Sequence, residues 1–94
     1  MERLAKIAKE KGYSDNFVAF VGKSYQMWNE DAAIEAIENG KSEREILEII
    51  FRPMRGDIFW TEEEREEDYQ GCIQEGKDEY LARCDKDGNF QYDI

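Results

Sequence analysis

Residues 69–84, YQGCIQEGKDEYLARC, admit two readings, and the fold class of this 94-residue chain turns on which one holds. Tyr69, Ile73, Gly76 and Tyr80 recur at helical spacing, so a helix running through Leu81 satisfies the apolar period. Against it stand Gly71 and Gly76, each costing about 1 kcal/mol relative to Ala inside a helix. Just downstream, Asp85-Lys86-Asp87-Gly88 is good hairpin chemistry, because Asp-Gly favours the left-handed backbone at a tight turn. EYLARC before it and NFQYDI after it then become two short strands. On these grounds the sequence predicts a helix closing at Gly76 and a small C-terminal antiparallel β-hairpin. The expected class is α+β, mainly helical, with four to five helices.

Upstream, TEEEREEDYQGCIQEG (61–76) has clear helix-start chemistry. Thr61 is a good N-cap and Glu64 stands three residues on, the capping-box spacing. Its apolar face is expected to be Tyr69, Cys72 and Ile73. Between Pro53 and this helix, Met54-Arg55-Gly56-Asp57 reads as a turn and Ile58-Phe59-Trp60 as a brief strand. Arg55-Gly56-Asp57 matches a cell-adhesion tripeptide, but a turn after Pro53 accounts for it.

The first half of the chain is helical by pattern. Residues 2–11 place Leu4, Ile7 and Ala8 on one face and stop at Gly12. SDNFVAFVGKSYQMW (14–28) opens on the N-cap Ser14 and carries Phe17, Val18, Val21, Tyr25 and Trp28 at helical spacing. Phe20 and Met27 widen that stripe, so this helix needs neighbours on two sides. Asn29 is positioned to cap a third helix, with Ala33, Ile34 and Ile37 inward and Gly40 ending it. Ser42 and Glu45 repeat the capping-box spacing at the start of a fourth, whose apolar residues are Ile46, Leu47, Ile49, Ile50 and Phe51. Pro53 limits its continuation.

These pairs repeat one another. Ala8-x-Glu10-x-Gly12-x-Ser14, followed by Val18 and Val21, is matched 28 residues later by Ala36-x-Glu38-x-Gly40-x-Ser42, followed by Ile46 and Ile49. Two copies do not make a solenoid, which needs about three. They predict two similar helix–turn–helix hairpins over 1–52, joined in a single 1–94 domain to an acidic helix and the C-terminal hairpin over 58–94.

Composition narrows function mainly by exclusion. There is no histidine, which removes imidazole acid–base chemistry, Ser-His and Cys-His pairs and mixed Cys/His zinc sites. No glycine cluster forms a phosphate-cradling loop. No catalytic, cofactor-binding or metal-binding residues are expected, and the chain does not read as an enzyme. Two cysteines twelve positions apart would stand ~18 Å from each other on one helix, too far to bond. The apolar runs are far below the ~18 residues of a membrane span, and no signal-peptide core is visible at the start, so a cytoplasmic protein is expected.

Charge is the positive signal. The chain carries a net −10, with residues 1–26 at +2 and the remainder at −12. Glu62, Glu63, Glu64, Glu66, Glu67 and Asp68 surround a single Arg65, giving net −5 in seven residues. At about 1.5 Å per residue that is one net charge per ~2 Å, close to the ~1.7 Å spacing along duplex DNA. Glu45 and Glu48 are expected to extend the surface. Such a face suits a basic protein partner, a nucleic-acid-handling protein or complex, with no direct nucleic-acid contact. The expected function is therefore a protein-binding inhibitor, a DNA mimic of the anti-restriction or anti-CRISPR kind met in phages, an analogy from composition alone. If the chain is phage-encoded, its place of action is the host cytoplasm.

Two other readings compete. Asn16, Lys23 and Gln26 on the second helix are residue types that hydrogen-bond base edges, which would make the first hairpin a DNA-reading unit of a transcription regulator. The same spacing recurs in the acidic second hairpin, however, so it is more simply a packing solution. An adaptor or assembly module with salt-insensitive binding is the third. Asp85, Asp87 and Asn89 resemble the start of a calcium loop, but Phe90 stands where that loop needs Gly.

Overall fold

A computed structural model of the chain describes residues 2–23, 29–53 and 60–92. Five helices follow in order: α1 (Glu2–Glu10), α2 (Asp15–Lys23), α3 (Glu30–Glu38), α4 (Glu43–Ile50) and α5 (Glu62–Ala82). α1 packs on α2 and α3, α3 on α4, and α4 on α5. The expected turn at Met54–Asp57, Ile58 and Phe59 of the expected strand, and Tyr25, Gln26, Met27 and Trp28 of the expected second helix lie outside the described residues.

The 28-residue repeat is written into the backbone. In the first turn Tyr13 N–H donates to Ala8 O and Gly12 N–H to Lys9 O, both at 3.1 Å; in the second Lys41 N–H donates to Ala36 O and Gly40 N–H to Ile37 O, both at 3.0 Å. Gly12 and Gly40 hold φ of +84° and +72°, the left-handed region that glycine enters without a Cβ penalty. Ser14 and Ser42 then cap the next helices, accepting from Phe17 N–H (3.3 Å) and Glu45 N–H (3.2 Å). The turns also touch. Tyr13 Oη donates to Lys41 O at 2.5 Å, and Ser14 N–H donates to the Glu43 carboxylate at 2.9 Å. Burial, and then the Glu43 and Glu45 carboxylates, raise the Tyr13 phenol above its ordinary pKa.

Between the hairpins lies the core. Leu4, Phe17, Val21, Ile37, Ile46 and Leu47 are fully enclosed, each contributing roughly 1.5–3 kcal/mol through burial. Asn29 is buried too, but it does not cap α3 with its side chain. Its amide Nδ2 instead donates to the Ile49 carbonyl, tying the start of α3 to the end of α4.

The expected β-hairpin does not form. Among the described residues there is no strand or sheet; the only β pairing is an isolated bridge between Cys84 and Phe90. α5 runs through Gly76 to Ala82, taking the segment expected as the first strand. The reason is long-range. A Cβ on Gly76 would stand 2.3 Å from the Glu48 carbonyl oxygen, so glycine is what lets α5 press onto α4. Helix propensity counts the entropic cost of that glycine and misses the packing it permits. Consequently Cys72, Gly76 and Tyr80 form the buried stripe, whereas Tyr69, expected to face inward, is half exposed at 51%.

The turn itself is real. Asp85 accepts from the N–H groups of Asn89 and Asp87, both at 2.9 Å, which hold its carboxyl below the usual range, Asn89 contributing most. Gln91 Nε2 donates to its other oxygen at 3.1 Å. Beyond it the chain is secured by rings, not by a ladder. Phe90 stacks on Tyr80 at 5.0 Å and meets Phe20 edge-on at 5.7 Å, while Tyr92 Oη donates to Glu43 at 3.1 Å. Phe90 is thereby half-buried among these rings.

Candidate functional site

The N-terminal turns of α5 carry the acidic run. Thr61 caps them, its Oγ1 accepting from Glu64 N–H and donating to the Glu64 carboxylate, each at 3.2 Å. Acids in a first helical turn also complement the positive end of the macrodipole. Glu62, Glu63, Glu64, Glu66 and Glu67 are exposed and Asp68 is half-buried. At 100° per residue, Glu63 and Glu67 point away from the Cys72–Gly76–Tyr80 stripe, Glu66 and Asp68 fall on its two flanks with Glu64 beyond Asp68, and Glu62 shares the azimuth of Tyr80 at the opposite end of the helix. Glu66 accepts from Gln70 at 2.8 Å and Asp68 from the Cys72 thiol at 3.9 Å.

Glu45 and Glu48 do not join this surface. Lys41 pairs with Glu45 at 4.0 Å and Arg44 with Glu48 at 3.0 Å, and the Glu48 side chain is only 13% exposed. Both line a groove between α3 and α4 with Glu35, Asn39 and Arg52. α4 and α5 lie antiparallel: Arg44 near the start of α4 sits over the Tyr80 ring at 5.1 Å, near the end of α5. The partner surface expected from sequence is thus brought together over 62–68 and split from its α4 members.

No protein-family model, curated protein or solved structure matches this chain. What the site can do therefore rests on its own chemistry. Of the residues expected for DNA reading, Asn16 and Lys23 are exposed on α2 and Gln26 lies outside the described residues. The two cysteines are free, Cys72 buried and Cys84 half-buried. The calcium-loop likeness dissolves, since Asp85 spends its oxygens on its own turn. Among the described residues no helix is long and apolar enough to cross a membrane.

Beside the acidic run is a cavity of about 460 Å³ that sequence reading missed, lined from α4 by Ile49, from α5 by Asp68, Tyr69 and Cys72, and by Asn29, Arg52 and Pro53. Only the three-dimensional crossing of α4 and α5 places these residues together. Asn29 had looked like a cap, and Arg52 carried no pattern at all.

Proposed function

We propose that this protein is a non-enzymatic antagonist that lays the acidic N-terminal turns of α5 into the basic, nucleic-acid-binding groove of a partner protein. The observation that carries it is the exposure of Glu62, Glu63, Glu64, Glu66 and Glu67 on consecutive turns of one rigid helix. Their net charge per unit length approaches that of duplex DNA. Long-range attraction between such a run and a cationic groove speeds encounter and selects against acidic partners. By analogy of composition alone, an anti-restriction or anti-CRISPR role fits a small acidic chain of this kind.

The test has two arms. In a mobility-shift assay at low salt, the protein is expected to leave duplex DNA unshifted; a shift would favour a DNA-reading role for Asn16 and Lys23. In a pull-down from bacterial lysate, captured proteins are expected to be nucleic-acid-binding and to be lost as ionic strength rises. Capture that ignores salt would instead indicate an adaptor.

A further inference from the structure

Along α5, Glu64, Asp68, Gly71, Glu75, Asp78 and Ala82 follow one another at alternating steps of four and three residues. At 100° per residue they stay within about 40° of one line, turned about 120° from the packed Cys72–Gly76–Tyr80 stripe. That alternation is the spacing by which one helix seats along another. Four of the six residues are carboxylates and the other two are small. A Cβ on Gly71 would meet nothing within 4 Å, so the middle of this seam is low and open. A hollow lies at each end. The first, of about 450 Å³, is lined by Trp60 together with Glu64, Glu67 and Asp68. The second, of about 740 Å³, has Ile50, Phe51 and Pro53 on one side and Glu75, Asp78 and Glu79 on the other. Among the described residues no lysine or arginine lines either hollow. Arg83 does reach Glu79, at 2.9 Å, from over the Phe51 ring. Glu64 and Asp78 accept from the neutral donors Thr61 and Gln74, bonds that leave their charge in place.

We propose that this seam seats a basic amphipathic α-helix of a partner protein. The helix passes over Gly71, sets an arginine against Trp60 and buries a large apolar side chain beside Ile50, Phe51 and Ala82. A guanidinium over an indole ring and among carboxylates is held by both charge and quadrupole. The apolar anchor gains by leaving water. The hollows are centred about eleven residues apart on α5, ~17 Å, so the two anchors stand about three turns apart on one side of the incoming helix. Charge chooses this occupant: the carboxylates repel nucleic acid, and a second copy of this chain would bring its own net −10. The proposal rests on the antagonist reading for a basic protein partner and adds the shape of the element that docks.

The test is an NMR titration of the whole protein with an alanine-based helical peptide of about 20 residues. It carries arginine and leucine eleven positions apart with lysines on the same side, and is made in both anchor orders. One order is expected to bind saturably, with shifts at Trp60, Gly71 and Ala82. A peptide of the same composition with its anchors on opposite sides should bind about tenfold more weakly. Gly71→Gln should raise Tm, because glutamine is the better helix former, and yet weaken the aligned peptide about tenfold. Asp78→Lys should weaken it by a similar factor with the helical circular dichroism signal retained. The proposal is overturned if neither order binds saturably, if aligned and misaligned peptides bind alike, or if Gly71→Gln leaves affinity unchanged. Lysate proteins displaced by duplex DNA but held equally by the wild type and Gly71→Gln would overturn the seam and leave the antagonist reading standing. Saturable, spacing-dependent peptide binding beside lysate proteins that DNA does not displace would support the seam and remove the nucleic-acid-handling partner.

Discussion

The acids of α4 and the acids of α5 are chemically the same and physically different. Glu45 and Glu48 stand four residues after Lys41 and Arg44, so each meets a nearby cation, Lys41 just before the Ser42 cap and Arg44 on α4 itself, and the Glu48 side chain is nearly enclosed. Glu62, Glu63 and Glu67 stand on turns of α5 that reach past the packed stripe, exposed to solvent. Charge count alone treats the two sets alike. Their neighbours make one a part of the scaffold and the other a surface available to a partner.

The largest effect should come from removing that surface. Replacing Glu62, Glu63, Glu66 and Glu67 with Lys is expected to weaken partner binding by on the order of 100-fold, about 2.7 kcal/mol, with the helical circular dichroism signal retained. If affinity is unchanged, the acids of α5 are no more functional than those of α4.

Next in size is the crossing that separates the two sets. Gly76→Ala puts a methyl group against the Glu48 carbonyl and should cost about 2 kcal/mol, on the order of 10 °C in Tm. Gly71→Ala, in the exposed half of the same helix, meets nothing within 4 Å and should stabilise by about 0.5–1 kcal/mol. Opposite signs at two glycines five residues apart would sharpen the contrast. Equal losses would mean that the acidic half is packed as well.

Glu43 supplies a pH signature on the scaffold side. Burial, and then the Glu43 carboxylate, raise the Tyr92 phenol above its ordinary pKa of about 10. The folded chain thus keeps a proton that the unfolded chain releases. Stability is full below pH 10 and falls as pH rises beyond it. Urea unfolding at pH 9 and 11 should show that fall, and Tyr92→Phe should lessen it, the raised Tyr13 and Tyr80 phenols keeping the remainder. The smallest effect is expected from Glu45→Gln, which should change partner affinity by about 0.5 kcal/mol or less because its pair with Lys41 is internal.

Local chemistry came through from sequence. Ser14, Ser42 and Thr61 cap as their spacing implied, and Gly12 and Gly40 turn the chain alike, because these contacts span only three to five residues. The hairpin failed for the opposite reason. Gly76 is chosen by Glu48, a neighbour in space that no short-range rule sees. The Lys41–Glu45 and Arg44–Glu48 pairs were visible at i,i+4 spacing and already argued against counting those acids as free charge. Asn29 and Arg52 left no such trace, since the cavity they line is assembled from segments far apart in sequence.

The acidic surface is tested most directly by a pull-down from bacterial lysate that compares the wild-type chain with the Glu62, Glu63, Glu66, Glu67→Lys variant, each eluted with duplex DNA. Proteins held by the wild type at low salt, displaced by DNA and absent from the variant are the predicted result. Proteins held equally by both chains, or untouched by DNA, would contradict it.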